Sequence, residues 1–235
     1  MNVPRQLALA LPHAESFARE DFLSGASNAA ARGLIERWPD WPDRALALVG
    51  PEGAGKSHLA AIWADIAGAR RVSARALGET DLPAALATGA LVIEDAAAGL
   101  DERALFHLLN LMRQQEGHIL ITTRAAPTQW RVELPDLGSR LRALPVVELS
   151  APDDALLRAV MVKLFADRQL AVDESLIGYL ATRIERSFAS ARAAVEKLDD
   201  EALRQKRPVT RALAVELLSK HEPDDGGHDA QRGVT

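Results

Sequence analysis

Gly50-Pro51-Glu52-Gly53-Ala54-Gly55-Lys56-Ser57 is the stretch whose reading decides the fold. Its spacing is G-x-x-x-x-G-K-[ST], a phosphate-binding loop. Before it runs Ala45-Leu46-Ala47-Leu48-Val49, which predicts a strand buried on both faces. After it, residues 56–67 carry a helical pattern. The chemistry needs this strand–loop–helix order. Glycines let the backbone curl so that its N–H groups face phosphate oxygens, and the helix N-terminus adds favourable dipole charge. Lys56 is placed to neutralise β- and γ-phosphates, and the Ser57 hydroxyl to hold Mg²⁺. The nucleotide-binding candidates are therefore Gly50, Pro51, Glu52, Gly53, Ala54, Gly55, Lys56 and Ser57, with His58 behind them. The Glu52 side chain itself reads as solvated and His58 as structural.

About forty residues downstream, Ala90-Leu91-Val92-Ile93 predicts a second buried strand, ending in Glu94-Asp95. In a phosphate-loop enzyme the first carboxylate there holds Mg²⁺ and the second polarises an attacking water. That assigns Glu94 to the metal and Asp95 to the water. The usual order begins with Asp. Because Mg²⁺ demands near-ideal octahedral geometry, the longer Glu94 implies retained nucleotide binding with slow or absent self-hydrolysis.

Elsewhere the pattern predicts a helix over residues 27–38 stopped by Pro39 and Pro42. A short strand follows at 71–74 and a short helix at 83–87. A long helix spans 101–116, with Asp101 as N-cap and Gly117 as C-cap. Strands are expected at 119–123 and 145–149. Alternating strands and helices predict a parallel α/β sheet. After Pro152 only helical periodicity remains, over 153–168, 173–184, 187–205 and 210–220. The expected division is a tail at 1–16, an α/β domain at 17–151, a small all-α domain at 152–220 and a disordered acidic tail at 221–235.

The 235 residues carry a formal net charge of −5, with 48% hydrophobic and 26% charged residues. That balance argues against a strongly basic nucleic-acid binder. There is no cysteine, which excludes a disulfide framework, a thiolate zinc site and a cysteine nucleophile. The six histidines share no metal-ligand spacing. No apolar run approaches the roughly 18 residues of a spanning helix, and the N-terminus does not read as a signal peptide. A cytoplasmic location without membrane contact is expected. Charges in residues 151–220 nearly balance, with no basic stripe. The four tryptophans read as packing residues.

Two further segments carry a resemblance. Phe22-Leu23-Ser24-Gly25-Ala26-Ser27-Asn28 resembles the lead-in of DnaA-related AAA+ proteins, which lines the adenine pocket. Pro135-Asp136-Leu137-Gly138-Ser139-Arg140-Leu141 resembles their "PDLxSRL" segment, which presents an arginine finger to a neighbouring subunit's nucleotide. The helices after Pro152 fit the AAA+ lid. With Gln6-Leu7-Ala8-Leu9-Ala10-Leu11 ahead of them, these features are similar to the Hda/HdaA family of regulatory inactivators of DnaA.

The resemblance covers about residues 17–220, without DnaA's N-terminal interaction domain or C-terminal DNA-binding domain. It implies an AAA+ P-loop NTPase core plus lid, binding ADP or ATP with Mg²⁺. Phe22 and Asn28 would sit near the base, and Ser57 and Glu94 at the metal. Asp95, Thr123 and Arg140 would be the catalytic set, with Arg140 acting in trans. Gln6, Leu7, Leu9 and Leu11 would bind the sliding clamp, the β subunit of DNA polymerase III. An extended peptide of that pattern sets alternating leucines into an apolar groove.

The implied function is negative regulation of replication initiation at the replisome. Docked on the clamp, and so touching DNA only indirectly, the chain would stimulate ATP hydrolysis by DnaA. Its own hydrolysis would be weak, and a homodimer is compatible with the family. A self-acting AAA+ ATPase of helicase-loader or DnaA-like type is the alternative. The sensor 1 strand ends Thr122-Thr123-Arg124, where relatives are polar and acidic. Ala189 stands where they carry a lid arginine, leaving Arg186 and Arg192 as substitutes.

Overall fold

The computed structural model describes residues 18–97 and 100–219. Five strands form one sheet: β1 (Ala45–Val49), β2 (Arg70–Ser73), β3 (Ala90–Ala96), β4 (His118–Thr123) and β5 (Val146–Glu148). All pair in parallel, in the order β2-β3-β4-β1-β5. Helix α1 (Ala29–Glu36) precedes β1, and α2 (Lys56–Ala67), α3 (Leu82–Ala85), α4 (Glu102–Gln114) and α5 (Pro135–Ala143) lie between the strands. Four more follow the sheet: α6 (Asp154–Asp167), α7 (Glu174–Ala181), α8 (Phe188–Gln205) and α9 (Arg211–Ser219).

The period-two alternation of the strands sends side chains to two apolar layers. Ala45, Ala47, Leu91, Ile93, Ile119 and Ile121 face α4 and α5, meeting Leu105, Leu108, Leu137 and Leu141. Leu46, Leu48, Val92 and Leu120 face α1 and α2, meeting Ile35, Leu59 and Trp63. Central strands buried on both sides explain the continuous apolar runs. The helices after β5 close on a third core built around Leu157, Met161, Phe165, Leu180, Val195 and Leu213.

Side-chain caps set several helix starts. Asp101, Asp153, Asp173 and Ser187 accept from the backbone N–H of Ala104, Leu156, Leu176 and Ser190. The end of α4 departs from expectation. Glu116, not Gly117, takes the left-handed conformation, at φ 56°. The Gly117 N–H returns to the Met112 carbonyl at 2.9 Å, closing a Schellman turn. Gly117 matters through space instead: a Cβ there would lie 3.1 Å from the Gly89 carbonyl oxygen. Strand β3 also runs further than its apolar residues, through Glu94 and Asp95 to Ala96, with a register break after Ile93. Trp38, Trp41 and Trp63 pack together beneath the sheet, Trp41 stacked on Trp63 at 5.0 Å. No described helix is long and apolar enough to cross a membrane. Gln6, Leu7, Leu9 and Leu11, and the tail at 221–235, lie outside the described residues.

Candidate nucleotide-binding site

Strands β3, β4 and β1 are neighbours, and their carboxyl ends open on one side of the sheet. In open α/β sheets that crevice is where ligands bind. The loop after β1 lies there, with Gly53 at φ 70° and Gly55 at φ 94°. These are left-handed conformations that glycine adopts without strain. Gly55 precedes α2, so the loop delivers its N–H groups to the helix N-terminus.

A cavity of about 480 Å³ lies above the loop, within the size range of small-molecule sites. Phe22 and Leu23 line one side. Glu52, Gly53, Gly55, Lys56, Ser57 and His58 form the floor. Asp95 and Arg124 stand at the strand ends. Val160, Lys163, Leu164, Phe188, Ala189 and Arg192 come from α6 and α8, and Arg168 from the C-terminal end of α6. The α8 N-terminus rests on the loop itself: the Phe188 N–H donates to the Gly53 carbonyl at 2.9 Å.

Lys56 is only 7% exposed. Its Nζ donates to the carbonyls of Gly50 at 2.8 Å and Pro51 at 2.7 Å. Burial pulls its pKa below the ordinary lysine value, and the nearby Asp95 carboxylate opposes that. His58 meets the Ala18 carbonyl at 3.0 Å and the Phe22 ring edge-on at 5.2 Å. Burial lowers its pKa, so the imidazole is neutral at pH 7. Lys163 bridges Asp21 and Asp167, each at 2.7 Å. Those carboxylates raise its pKa and tie α6 to the segment before α1. Arg124 pairs with Glu52 at 2.6 Å across the rim. The cations of the lining match a polyphosphate, and Phe22, Leu23, Val160 and Leu164 offer the apolar wall that a base requires.

Several expected residues have other roles. Glu94 does not line the cavity: its carboxylate accepts from Arg71 Nε at 2.6 Å on β2. The strand irregularity explains this. Asp95 adopts φ 55°, and its N–H is held by Thr122 Oγ1 at 3.0 Å, so Asp95 lines the cavity while Glu94 faces β2. Thr123 is buried and donates to the Ala125 carbonyl at 2.9 Å, away from the lining. Asn28 is also buried, accepting from Gly25 N–H and donating to the Leu23 carbonyl, both at 3.0 Å. It shapes the segment carrying Phe22 and Leu23 rather than touching the cavity. Gly50 and Pro51 act through the carbonyls that hold Lys56, and Ala54 is packed beneath the loop.

Of the two lid arginines, Arg192 lines the cavity, as does Ala189. Arg186 pairs outside with Asp154 at 2.7 Å. Lys163 and Arg168 are not evident in the sequence. The local signal of Lys163 is an i,i+4 pair with Asp167 that resembles ordinary helix surface, and Arg168 pairs with the distant Asp199. Arg140 lies outside the cavity on α5. It makes no ion pair with Asp136 one turn earlier, and its guanidinium sits 4.6 Å over the Phe106 ring.

No protein-family model matches the chain. Over 125 residues, 52% of this chain, it is 27% identical to the chromosomal replication initiator protein DnaA of Lactobacillus delbrueckii subsp. bulgaricus. It is 25% identical over 121 residues to DnaA of Thermomicrobium roseum. The chain spans about a quarter of the length of these relatives, 26% and 25%. Among solved structures, domain III of Thermotoga maritima DnaA superposes with a TM-score of 0.71 at 19% identity, covering 87% of this chain and 96% of that one. DnaA of Aquifex aeolicus bound to AMPPCP gives 0.63 at 17% identity, covering 80% and 67%. A single-residue variant of Thermotoga maritima RuvB gives 0.69 at 14% identity, covering 87% and 72%. The chain is thus homologous to DnaA in sequence, and its parallel five-stranded sheet flanked by helices is the AAA+ P-loop NTPase fold of DnaA domain III.

Proposed function

We propose that this chain is an ADP- or ATP-binding AAA+ regulator of the Hda/HdaA type. Docked on the sliding clamp, it acts on DnaA and accelerates hydrolysis of DnaA's ATP through Arg140 in trans. The observation that carries the reading is the separation of two features. The cavity built by the phosphate loop does not include Arg140, and Arg140 has no acidic partner among the described residues. A permanent cation with a planar fork, placed off its own nucleotide, suits the charge of a phosphoryl group on another subunit. Supplied in trans, such an arginine is worth about 10³–10⁵ in rate.

Nucleotide binding at the cavity is supported by the loop, by its cationic lining and by likeness to DnaA, which binds AMPPCP. The residues fit Mg²⁺, with Ser57 as hydroxyl donor and Asp95 as the carboxylate in place of Glu94. Mg²⁺ commonly takes one or two carboxylates plus substrate phosphates; when bound, it would supply positive charge that offsets the phosphate charge. In this reading residues 17–151 form the nucleotide-binding domain, 152–220 the lid, and residues 1–16 carry the clamp motif.

One observation favours the self-acting ATPase instead. Asp95 stands in the cavity lining near Lys56, where a water-polarising carboxylate belongs. Comparing ATP turnover by the protein alone with turnover after adding DnaA and clamp-loaded DNA separates the two. The regulator gives negligible turnover alone and a large increase in the mixture. Turnover alone that equals the mixture would establish the motor. Alanine at Gln6, Leu7, Leu9 and Leu11 should abolish clamp binding in surface plasmon resonance, and undiminished binding would remove the clamp from the account.

A further inference from the structure

We propose that Glu102 is the positioning residue for Arg140, a single carboxylate that fixes the start of α5 and thereby the direction of its guanidinium. The inference rests on the trans-arginine reading above. Helix α5 begins at Pro135 with Leu134 as N-cap, and Leu134 supplies no side-chain cap. The N–H groups at a helix start need partners from elsewhere. Glu102, at the first residue of α4, serves the N-cap Leu134 and Glu133 just before it. Its carboxylate oxygens accept from the Glu133 N–H at 2.9 and 3.0 Å and from the Leu134 N–H at 2.9 Å. Bonds to a carboxylate are roughly twice as strong as neutral ones. The charge also sits at the N-termini of two helices, where both dipoles favour it.

Phe106 lies one turn further along α4, on the same face as Glu102. Its ring carries the Arg140 guanidinium at 4.6 Å. Between these two contacts Leu105, Leu137 and Leu141 pack in the common core. Helix α4 therefore holds α5 at its start and beneath its arginine. One Nη of Arg140 is buried without a hydrogen-bond partner, so no ion pair of its own sets its aim. The helix direction and the ring set it. A misplacement of about 1 Å at a reacting group can cost on the order of a hundredfold in rate.

The test measures ATP turnover by DnaA with clamp-loaded DNA, titrated with wild type, Glu102→Ala, Glu102→Gln, Arg140→Ala and the Glu102→Ala/Arg140→Ala double variant. Glu102→Ala should lower the maximal stimulated rate about tenfold to a hundredfold. The half-saturating concentration and ADP affinity should stay unchanged. Glu102→Gln, which keeps one acceptor oxygen, should recover part of the rate and carries the test if the alanine variant does not fold. Glu102→Ala should add nothing in the Arg140→Ala background. Hydrogen exchange at the amides of residues 133 and 134 should accelerate in Glu102→Ala without any partner present.

Wild-type stimulation by Glu102→Ala, with Arg140→Ala inactive, overturns the positioning role and leaves the trans arginine standing. An equal further loss in the Arg140→Ala background also overturns it, because Glu102 would then act elsewhere. Full stimulation by Arg140→Ala removes the functional reading itself, and the positioning role with it.

Discussion

Gly53→Ala probes the junction on which the cavity depends. Gly53 sits at φ 70°, where a side chain costs about 1–2 kcal/mol. Its new Cβ would lie 2.9 Å from Ser187 Cβ and 3.1 Å from both Ala189 Cβ and Ser187 Oγ. These atoms are anchored to the α8 backbone, so relief requires moving the helix. Overpacking of that kind costs about 1–3 kcal/mol. The sum is roughly 2–5 kcal/mol, a large share of the 5–15 kcal/mol typical of a folded domain. Moving α8 also breaks the Phe188 N–H bond to the Gly53 carbonyl. Gly33→Ala is the control: Gly33 lies within α1 with nothing within 4 Å of a Cβ, and alanine there should stabilise by about 0.5–1 kcal/mol. Urea unfolding followed by circular dichroism gives both numbers, and calorimetric titration with ADP gives the binding loss. Gly53→Ala unfolding at the wild-type midpoint, with unchanged ADP affinity, would refute the contact between lid and phosphate loop.

Lys56→Ala should remove the cation held over the Gly50 and Pro51 carbonyls and weaken ADP and ATP binding strongly; equilibrium dialysis showing wild-type affinity would contradict the assignment. Stability should also fall with acid. Burial holds the His58 pKa below the ordinary 6.5, so between those values the unfolded chain binds more protons than the folded one. The contribution is complete above pH 6.5 and is lost as pH drops below it. His118, lowered by burial and by Arg44, acts in the same sense. The urea midpoint should therefore decrease from about pH 7 to about pH 5, less steeply in His58→Gln, and a midpoint that rises with acid would refute this.

The sequence disclosed most where local chemistry and tertiary demand coincide. The loop, its strand and α2 are legible because phosphate binding needs glycine at positive φ next to a helix start, and Gly53 and Gly55 supply both. Asp101 is legible because a cap acts within its own turn. Residue order puts Asp95 in the site but does not show that Glu94 faces β2, because an irregularity in β3 turns only Asp95 to the cavity, and no residue type announces it. Asn28 and Thr123 look like ligand residues but satisfy their own backbone surroundings. Lys163 and Arg168 reach the cavity only because α6 is packed over the loop. Glu102 caps a helix 32 residues away, a partnership that a window of local sequence does not contain.

The central claim is that Arg140 acts on another subunit's nucleotide. Its most direct test is ATP turnover by DnaA, with clamp and DNA, in the presence of wild type, Arg140→Ala or Arg140→Lys. The account predicts that Arg140→Ala keeps ADP and clamp binding but loses most of the stimulation, and that Arg140→Lys recovers little because an ammonium lacks the planar fork. Stimulation by Arg140→Ala equal to the wild type would contradict it.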